Sequence, residues 1–147
     1  MAFAVRAETV IDASPERVWD VLVDAERWPE WNPFLTLEGG RLDSSGYPVL
    51  RLSLPGQAGY VFRPHMLAFD PPKRLAWIGR TGVRGVFDGA HTFTLASEEA
   101  GTRFVNEERF SGLLSPIMRR LPMMREAQSG FEEMNRALKA RVEGTGP

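Results

Sequence analysis

Residues 86–112 read VFDGAHTFTLASEEAGTRFVNEERFSG, and their alternation decides the fold. Phe87, Gly89, His91, Phe93 and Leu95 fall on one face of a strand; Asp88, Ala90, Thr92, Thr94 and Ala96 fall on the other. After Glu98-Glu99-Ala100-Gly101 the alternation resumes. Phe104, Asn106, Glu108 and Phe110 share one face, and Arg103, Val105, Glu107, Arg109 and Ser111 share the other. Two alternating runs joined by a short turn ending in glycine form a hairpin. Its apolar faces turn inward and carry His91, Asn106 and Glu108 with them.

The loop fixes which residues meet. A two- or four-residue loop centred on Glu99-Ala100 pairs Leu95 with Phe104, Phe93 with Asn106, and His91 with Glu108. A three-residue loop or a bulge shifts the pairing by one and removes the His91–Glu108 opposition.

Downstream of the hairpin, Ser115-Pro116 reads as a helix start. Ile117, Leu121, Met124, Phe131, Met134, Leu138 and Val142 then recur at helical spacing, giving an amphipathic helix of about 27 residues that Pro122 kinks or breaks. Residues 144–147 read as a frayed tail. Arg119, Arg120, Arg125, Arg136 and Arg141 read as its solvated face.

Upstream, Phe3, Val5, Ala7, Thr9 and Ile11 alternate as a first strand. Ser14-Pro15-Glu16 starts a short helix with Val18, Trp19 and Leu22 on one face. A second short segment holds Trp28 to Pro33. Strands follow around Leu35–Leu37, around Leu50, Leu52 and Leu54 up to Pro55-Gly56, in 60–69 with Pro64 marking an edge or bulge, and around Leu75–Trp77. Asp70-Pro71-Pro72 is a turn, and Gly82 and Gly85 mark a loop. The expected fold is α+β: a curved antiparallel sheet of about seven strands wrapped around a long C-terminal helix, with two short helices between strands one and two. The chain reads as one domain over 1–147. One helix covers only one face of the sheet, so its apolar stripe belongs on the concave face.

Several stretches resemble the SRPBCC superfamily, which includes START domains, polyketide cyclase-like proteins and the major birch pollen allergen. Val10-Ile11-Asp12-Ala13-Ser14-Pro15-Glu16-Arg17-Val18-Trp19 is similar to its opening, and Trp28-Pro29-Glu30-Trp31-Asn32-Pro33 to its next landmark. Asp70-Pro71-Pro72-Lys73-Arg74-Leu75-Ala76-Trp77, His91-Thr92-Phe93, Gly101-Thr102-Arg103 and Glu108-Arg109-Phe110-Ser111-Gly112 are similar to a bacterial branch. The resemblance spans nearly the whole chain and implies the helix-grip fold. It also implies a lipid, sterol, polyketide or quinone as ligand; some members are enzymes and some activate a chaperone ATPase. A shared fold does not by itself transfer chemistry.

Composition narrows the classes. The 147 residues carry a net charge of −1 and no cysteine. Thiol catalysis, disulfides and cysteine metal sites are excluded. No overall field draws in nucleic acid or an acidic membrane. No apolar run approaches the ~20 residues of a membrane helix, and Met1 to Val10 has no apolar core of a signal peptide, so a cytoplasmic protein without stable membrane insertion is expected. His65 and His91 without cysteine make no zinc set, and 82–89 is no phosphate loop, so neither metal nor cofactor is expected. Monomer and homodimer both remain open.

The expected ligand surface is Trp77, His91, Phe93, Asn106, Glu108, Phe110, Met124, Phe131 and Met134. His91 and Glu108 are the candidates for acid–base catalysis. The alternatives are a polar anchor in an apolar cavity, or a satisfied pair that fixes the hairpin. Gly130, in mid-helix, leaves space for a ligand, lets helix and sheet approach, or is a tolerated surface glycine. Trp19, Trp28 and Trp31 read as structural, and His65 as exposed.

Overall fold

The computed structural model describes residues 2–53, 58–81 and 83–144. Among them the order is β1 (Phe3–Ile11), α1 (Pro15–Val23), a 3₁₀ helix (Ala25–Glu30), β2 (Leu35–Gly39), β3 (Val49–Leu52), β4 (Tyr60–Phe62), β5 (His65–Asp70), β6 (Arg74–Thr81), β7 (Phe87–Glu98), β8 (Gly101–Ser111), α2 (Ser115–Met118) and α3 (Pro122–Glu143). The expected strand character of Leu54, the stop at Pro55-Gly56, the loop position of Gly82 and the tail residues 145–147 lie outside the described residues.

Local sequence accounts for the first helices. The Ser14 Oγ accepts from the Arg17 N–H at 3.3 Å, and Pro15 occupies the first turn. Val18, Trp19 and Leu22 are buried as a stripe. Trp19 meets Phe69 edge-on at 5.1 Å. Trp28 is fully buried, and its indole N–H donates to the Leu22 carbonyl at 2.9 Å, so its polar end is satisfied. Trp31 is half-buried beside this core and His65 is exposed. The Asn32 side-chain oxygen then accepts from the N–H groups of Phe34 and Leu35 and turns the chain into β2.

The α+β architecture holds as expected, with antiparallel strands, two short helices after β1 and a long C-terminal helix, and the eight strands among the described residues are divided between two sheets. One runs β1-β8-β7-β6-β5 and the other β2-β3-β4. The chain passes between them at 63–64. Pro64 is buried there and has no N–H to donate, so a continuous ladder through 60–69 is interrupted. β5 is both an edge strand and bulged between Met66 and Ala68.

Of the kink or break expected at Pro122, the C-terminal segment has the break: α2 is a separate turn and Pro122 starts α3. Leu114, not Ser115, occupies the cap position of α2; Ser115 is buried inside it. The break ends the helical phase that the apolar pattern carries from residue 117. Met134, Leu138 and Val142 are buried and Met124 and Phe131 half-buried, but Ile117 and Leu121 are exposed. α3 rests chiefly on β1, and less on α1 and β8. Gly130 is half-buried, and a methyl there would meet the Phe34 ring at 3.6 Å, an ordinary contact.

The last turns of α3 are tied to the end of β1. The Lys139 Nζ donates to the Val10 carbonyl and to the Glu143 carboxylate at 2.9 Å. The same carboxylate accepts the Asp12 N–H at 2.8 Å. The Asp12 N–H, and then Lys139, hold the Glu143 carboxyl below the usual carboxylate range. A lowered folded-state pKa contributes stability above the unfolded value and loses it as pH falls through the folded one. Glu143→Gln is therefore expected to lower the Tm at neutral pH, with the gap to the parent closing on acidification. A gap that stays constant into the acid range in thermal melts would show that this carboxylate does not act through its charge.

Candidate functional site

β7 and β8 are joined by the two-residue turn Glu99-Ala100, with Glu98 opposite Gly101. Gly101 has φ 130°, and a Cβ there would overlap the Ile11 carbonyl, so the turn requires glycine. The even loop sets Leu95 opposite Phe104, Phe93 opposite Asn106 and His91 opposite Glu108. On the other side of β7, Trp77 of β6 stands opposite His91.

Three aromatic rings surround the imidazole. Its centroid lies 4.5 Å from Phe93, 5.4 Å from Trp77 and 5.1 Å from Phe131 of α3. Within this apolar setting the polar atoms form a chain. His91 Nε2 lies 2.6 Å from Asn106 Oδ1, and Asn106 Nδ2 donates to Asn135 Oδ1 at 3.2 Å. Asn106 Nδ2 also faces the Met134 sulfur at 3.8 Å. A thioether sulfur only accepts, so the amide nitrogen belongs on the α3 side and the amide oxygen on the His91 side. The His91 Nε2 therefore carries the hydrogen, and in the neutral ring Nδ1 is a bare lone pair.

That lone pair faces Glu108, whose Oε1 is 3.7 Å from Nδ1. The distance exceeds a direct hydrogen bond. Asn106 is fully buried and His91 and Asn135 nearly so, whereas the Glu108 side chain is 25% exposed. Glu108 is thus the accessible end of a polar chain that crosses from the sheet to the helix. Gly89 makes room for it: a Cβ at Gly89 would sit 2.5 Å from Glu108 Oε2.

Trp77, His91, Phe93, Asn106, Glu108, Phe131 and Met134 come together here. Phe110 lies in a neighbouring cluster, stacked on Phe87 at 5.3 Å and on Phe3 at 5.1 Å. Met124 packs against that cluster too, and Phe131 adjoins both. Asn135 belongs to the site but not to the expected ligand surface; its signal in the sequence is a polar residue beside Met134 on the buried stripe of α3, one turn from Phe131. Tyr60 on β4 has only an electrostatic link to the site. It is 58% exposed, yet the protein around it, and then the charge of Glu108, push its phenol pKa above the ordinary value. Tyr60 belongs to the three-stranded sheet and Glu108 to the five-stranded one, so that influence spans the gap between them. Leu37, Leu52, Phe62 and Met66 are half-buried against the core below.

Two surface hollows lie away from His91. One of about 290 Å³ is lined by Arg17, Asp24 and Arg141, and one of about 540 Å³ by Phe3, Met124 and Arg119. Among the described residues no group of three or more His, Asp and Glu side chains converges as a metal set.

Asn106 holds the chain at both ends. Asn106→Leu leaves the His91 N–H and the Asn135 amide without partners, at about 1–3 kcal/mol for each buried group. Denaturant unfolding should show that loss, and ¹⁵N NMR of the parent should place the imidazole hydrogen on Nε2. An Nδ1–H tautomer, or an Asn106→Leu variant as stable as the parent, contradicts the network.

The comparisons with known proteins bear on the fold. A fold match to CV1439 of Chromobacterium violaceum has a TM-score of 0.74 at 20% identity, covering 95% of this chain and 97% of that one. The di-domain ARO/CYC StfQ of the steffimycin biosynthetic pathway matches with a TM-score of 0.73 at 11% identity; 98% of this chain aligns with 52% of that larger protein. Ara h 8.0201 matches with a TM-score of 0.70 at 12% identity, over 98% and 99% of the two chains. At these identities the likeness shows the fold alone. A comparison with curated proteins returns no match. The family model described as "Polyketide cyclase / dehydrase and lipid transport" matches residues 2–143, and with the fold this places the chain in that family, within the SRPBCC-type superfamily.

Proposed function

We propose that the protein binds a small, largely apolar molecule bearing an oxygen function, held between the β7–β8 hairpin, the Phe131 stretch of α3 and the three-stranded sheet. The observation that carries this reading is the His91–Glu108 pair. Two polar groups face each other at 3.7 Å, too far for a direct bond, on an aromatic floor, with one partly open to solvent. A hydroxyl or carbonyl oxygen between or beside them would complete what the protein leaves incomplete. Trp77, Phe93 and Phe131 supply flat apolar walls suited to a ring or a chain. The family description, which names polyketides and lipids, supports a ligand of that class.

A catalytic reading rests on the same pair. A bare Nδ1 can take a proton from an activated carbon or a hydroxyl of the bound molecule. Glu108 then faces the imidazolium that forms, 3.7 Å away, and stabilises it. This matches the cyclase or dehydrase side of the family description.

Titration of the full chain with a planar phenolic β-diketone tests both readings. Saturable quenching of tryptophan fluorescence is expected. It should weaken up to about tenfold in His91→Ala, as for loss of one polar anchor. Absence of saturable binding, or binding indifferent to His91, sinks the binding reading. In D₂O, the parent but not His91→Gln should speed deuterium exchange at the diketone carbon if the pair is catalytic. Binding without such exchange leaves a carrier.

A further inference from the structure

The overall charge of −1 conceals a local asymmetry. Residues 109–125 hold four arginines and no acidic residue. The same stretch is where the apolar pattern of the sequence fails to be buried. Leu113 is 84% exposed and Ile117 64%, with Leu114, Leu121 and Met123 also exposed. Val83, in the loop before β7, is 73% exposed. Six of the ten large apolar residues exposed among the described residues thus belong to these two segments.

Backbone bonds stitch the segments into one tip. The Leu113 N–H donates to the Gly85 carbonyl at 3.0 Å and the Leu114 N–H to the Val86 carbonyl at 2.9 Å. Gly112, at φ 111°, permits the approach: a Cβ there would overlap the Val86 carbonyl. Arg84, Arg119, Arg120 and Arg125 are exposed around the apolar side chains. Asp88, the second residue of β7, is buried and accepts the Gly85 N–H at 3.1 Å, so it does not offset them at the surface; the exposed Glu126 beside Arg125 offsets one of the four. Beside the tip lies the hollow of about 540 Å³, whose lining includes Phe3, Met124, Arg119 and Arg125.

We propose that this tip docks on the surface of an anionic phospholipid bilayer, with Leu113, Ile117 and Val83 entering the acyl boundary and the arginines meeting lipid phosphates. Protruding apolar residues ringed by arginine are the chemistry of interfacial anchors. Nucleic acid would satisfy the arginines but not the leucines. A two-fold contact with a second copy would set arginine against arginine. The docking is peripheral, because no helix among the described residues is long and apolar enough to cross a membrane. It stands independently of what the interior holds.

Flotation of the full chain with phosphatidylglycerol–phosphatidylcholine vesicles, against phosphatidylcholine alone, is the test. Binding to the anionic vesicles, weakened by salt, is expected. One arginine at such a surface is worth about fivefold in partitioning, so Arg119→Gln with Arg120→Gln should weaken binding more than tenfold. Leu113→Ser with Ile117→Ser should do the same at unchanged Tm. Arg17→Gln with Arg27→Gln, beyond the opposite end of β1, should bind like the parent. The proposal is overturned if anionic vesicles are not bound, or if the Arg17/Arg27 pair matters as much as the tip. It is equally overturned if the tip variants only split a dimer or release a protein partner.

Discussion

The register of the β7–β8 hairpin is the constraint on which the interior depends. Side chains alternate along a strand, so a slip of one residue would send His91, Phe93 and Glu108 to the opposite face together. The turn at Glu99-Ala100 prevents that slip because Gly101 can adopt φ 130° against the Ile11 carbonyl, where a side chain would collide. With the register set, β6 brings Trp77 beside His91, β8 brings Asn106 beneath it, and β1 pairs with β8 from Thr102 to Phe110. The position of one buried imidazole is therefore decided some ten residues away, at a surface turn.

Fixing Asn106 has a consequence for the helix. Its amide is fully buried, and burying it without partners would cost about 1–3 kcal/mol. Asn135 supplies the partner from α3 at 3.2 Å. The polar chain is thus a specific tie between sheet and helix at a point where apolar packing alone would tolerate rotation or sliding. It also decides chemistry, because the Met134 sulfur orients Asn106 and Asn106 orients His91. A residue with no access to a ligand sets which imidazole nitrogen a ligand would meet.

How much of this was legible in the sequence follows from which forces are local. Alternation puts His91 and Glu108 on the inward face, but the sequence leaves an even and an odd loop open, and only the folded turn sets them opposite; the Ser14-Pro15 start locates α1 to the residue. The two sheets were not legible as two, because Pro64 announces an interruption but not that the chain changes partners there. The stripe ending at Ile117 and Leu121 misled for the same reason: periodicity continues across Pro122 on paper, while the helix axis does not. Asn135 was visible as a polar residue on a buried stripe but lacked a partner until the sheet was in place. Net charge likewise averages over the arginine-rich tip and the acidic remainder.

The strength of attachment along α3 is graded, and the gradient bears on how anything enters. Its last turns are held by buried Leu138 and Val142 and by the Lys139 and Glu143 bonds to the end of β1. Its middle is held by Asn135. From Pro122 to Phe131 the inward residues are only half-buried, and Leu121 caps nothing. Local opening free energy scales with the apolar area and bonds that must be given up. The segment above Phe110 and beside His91 therefore gives up less on opening than the C-terminal turns do. The polar tie thus stands at the boundary between a firmly packed half and a loosely packed half of α3, and it fixes the imidazole from the firm side.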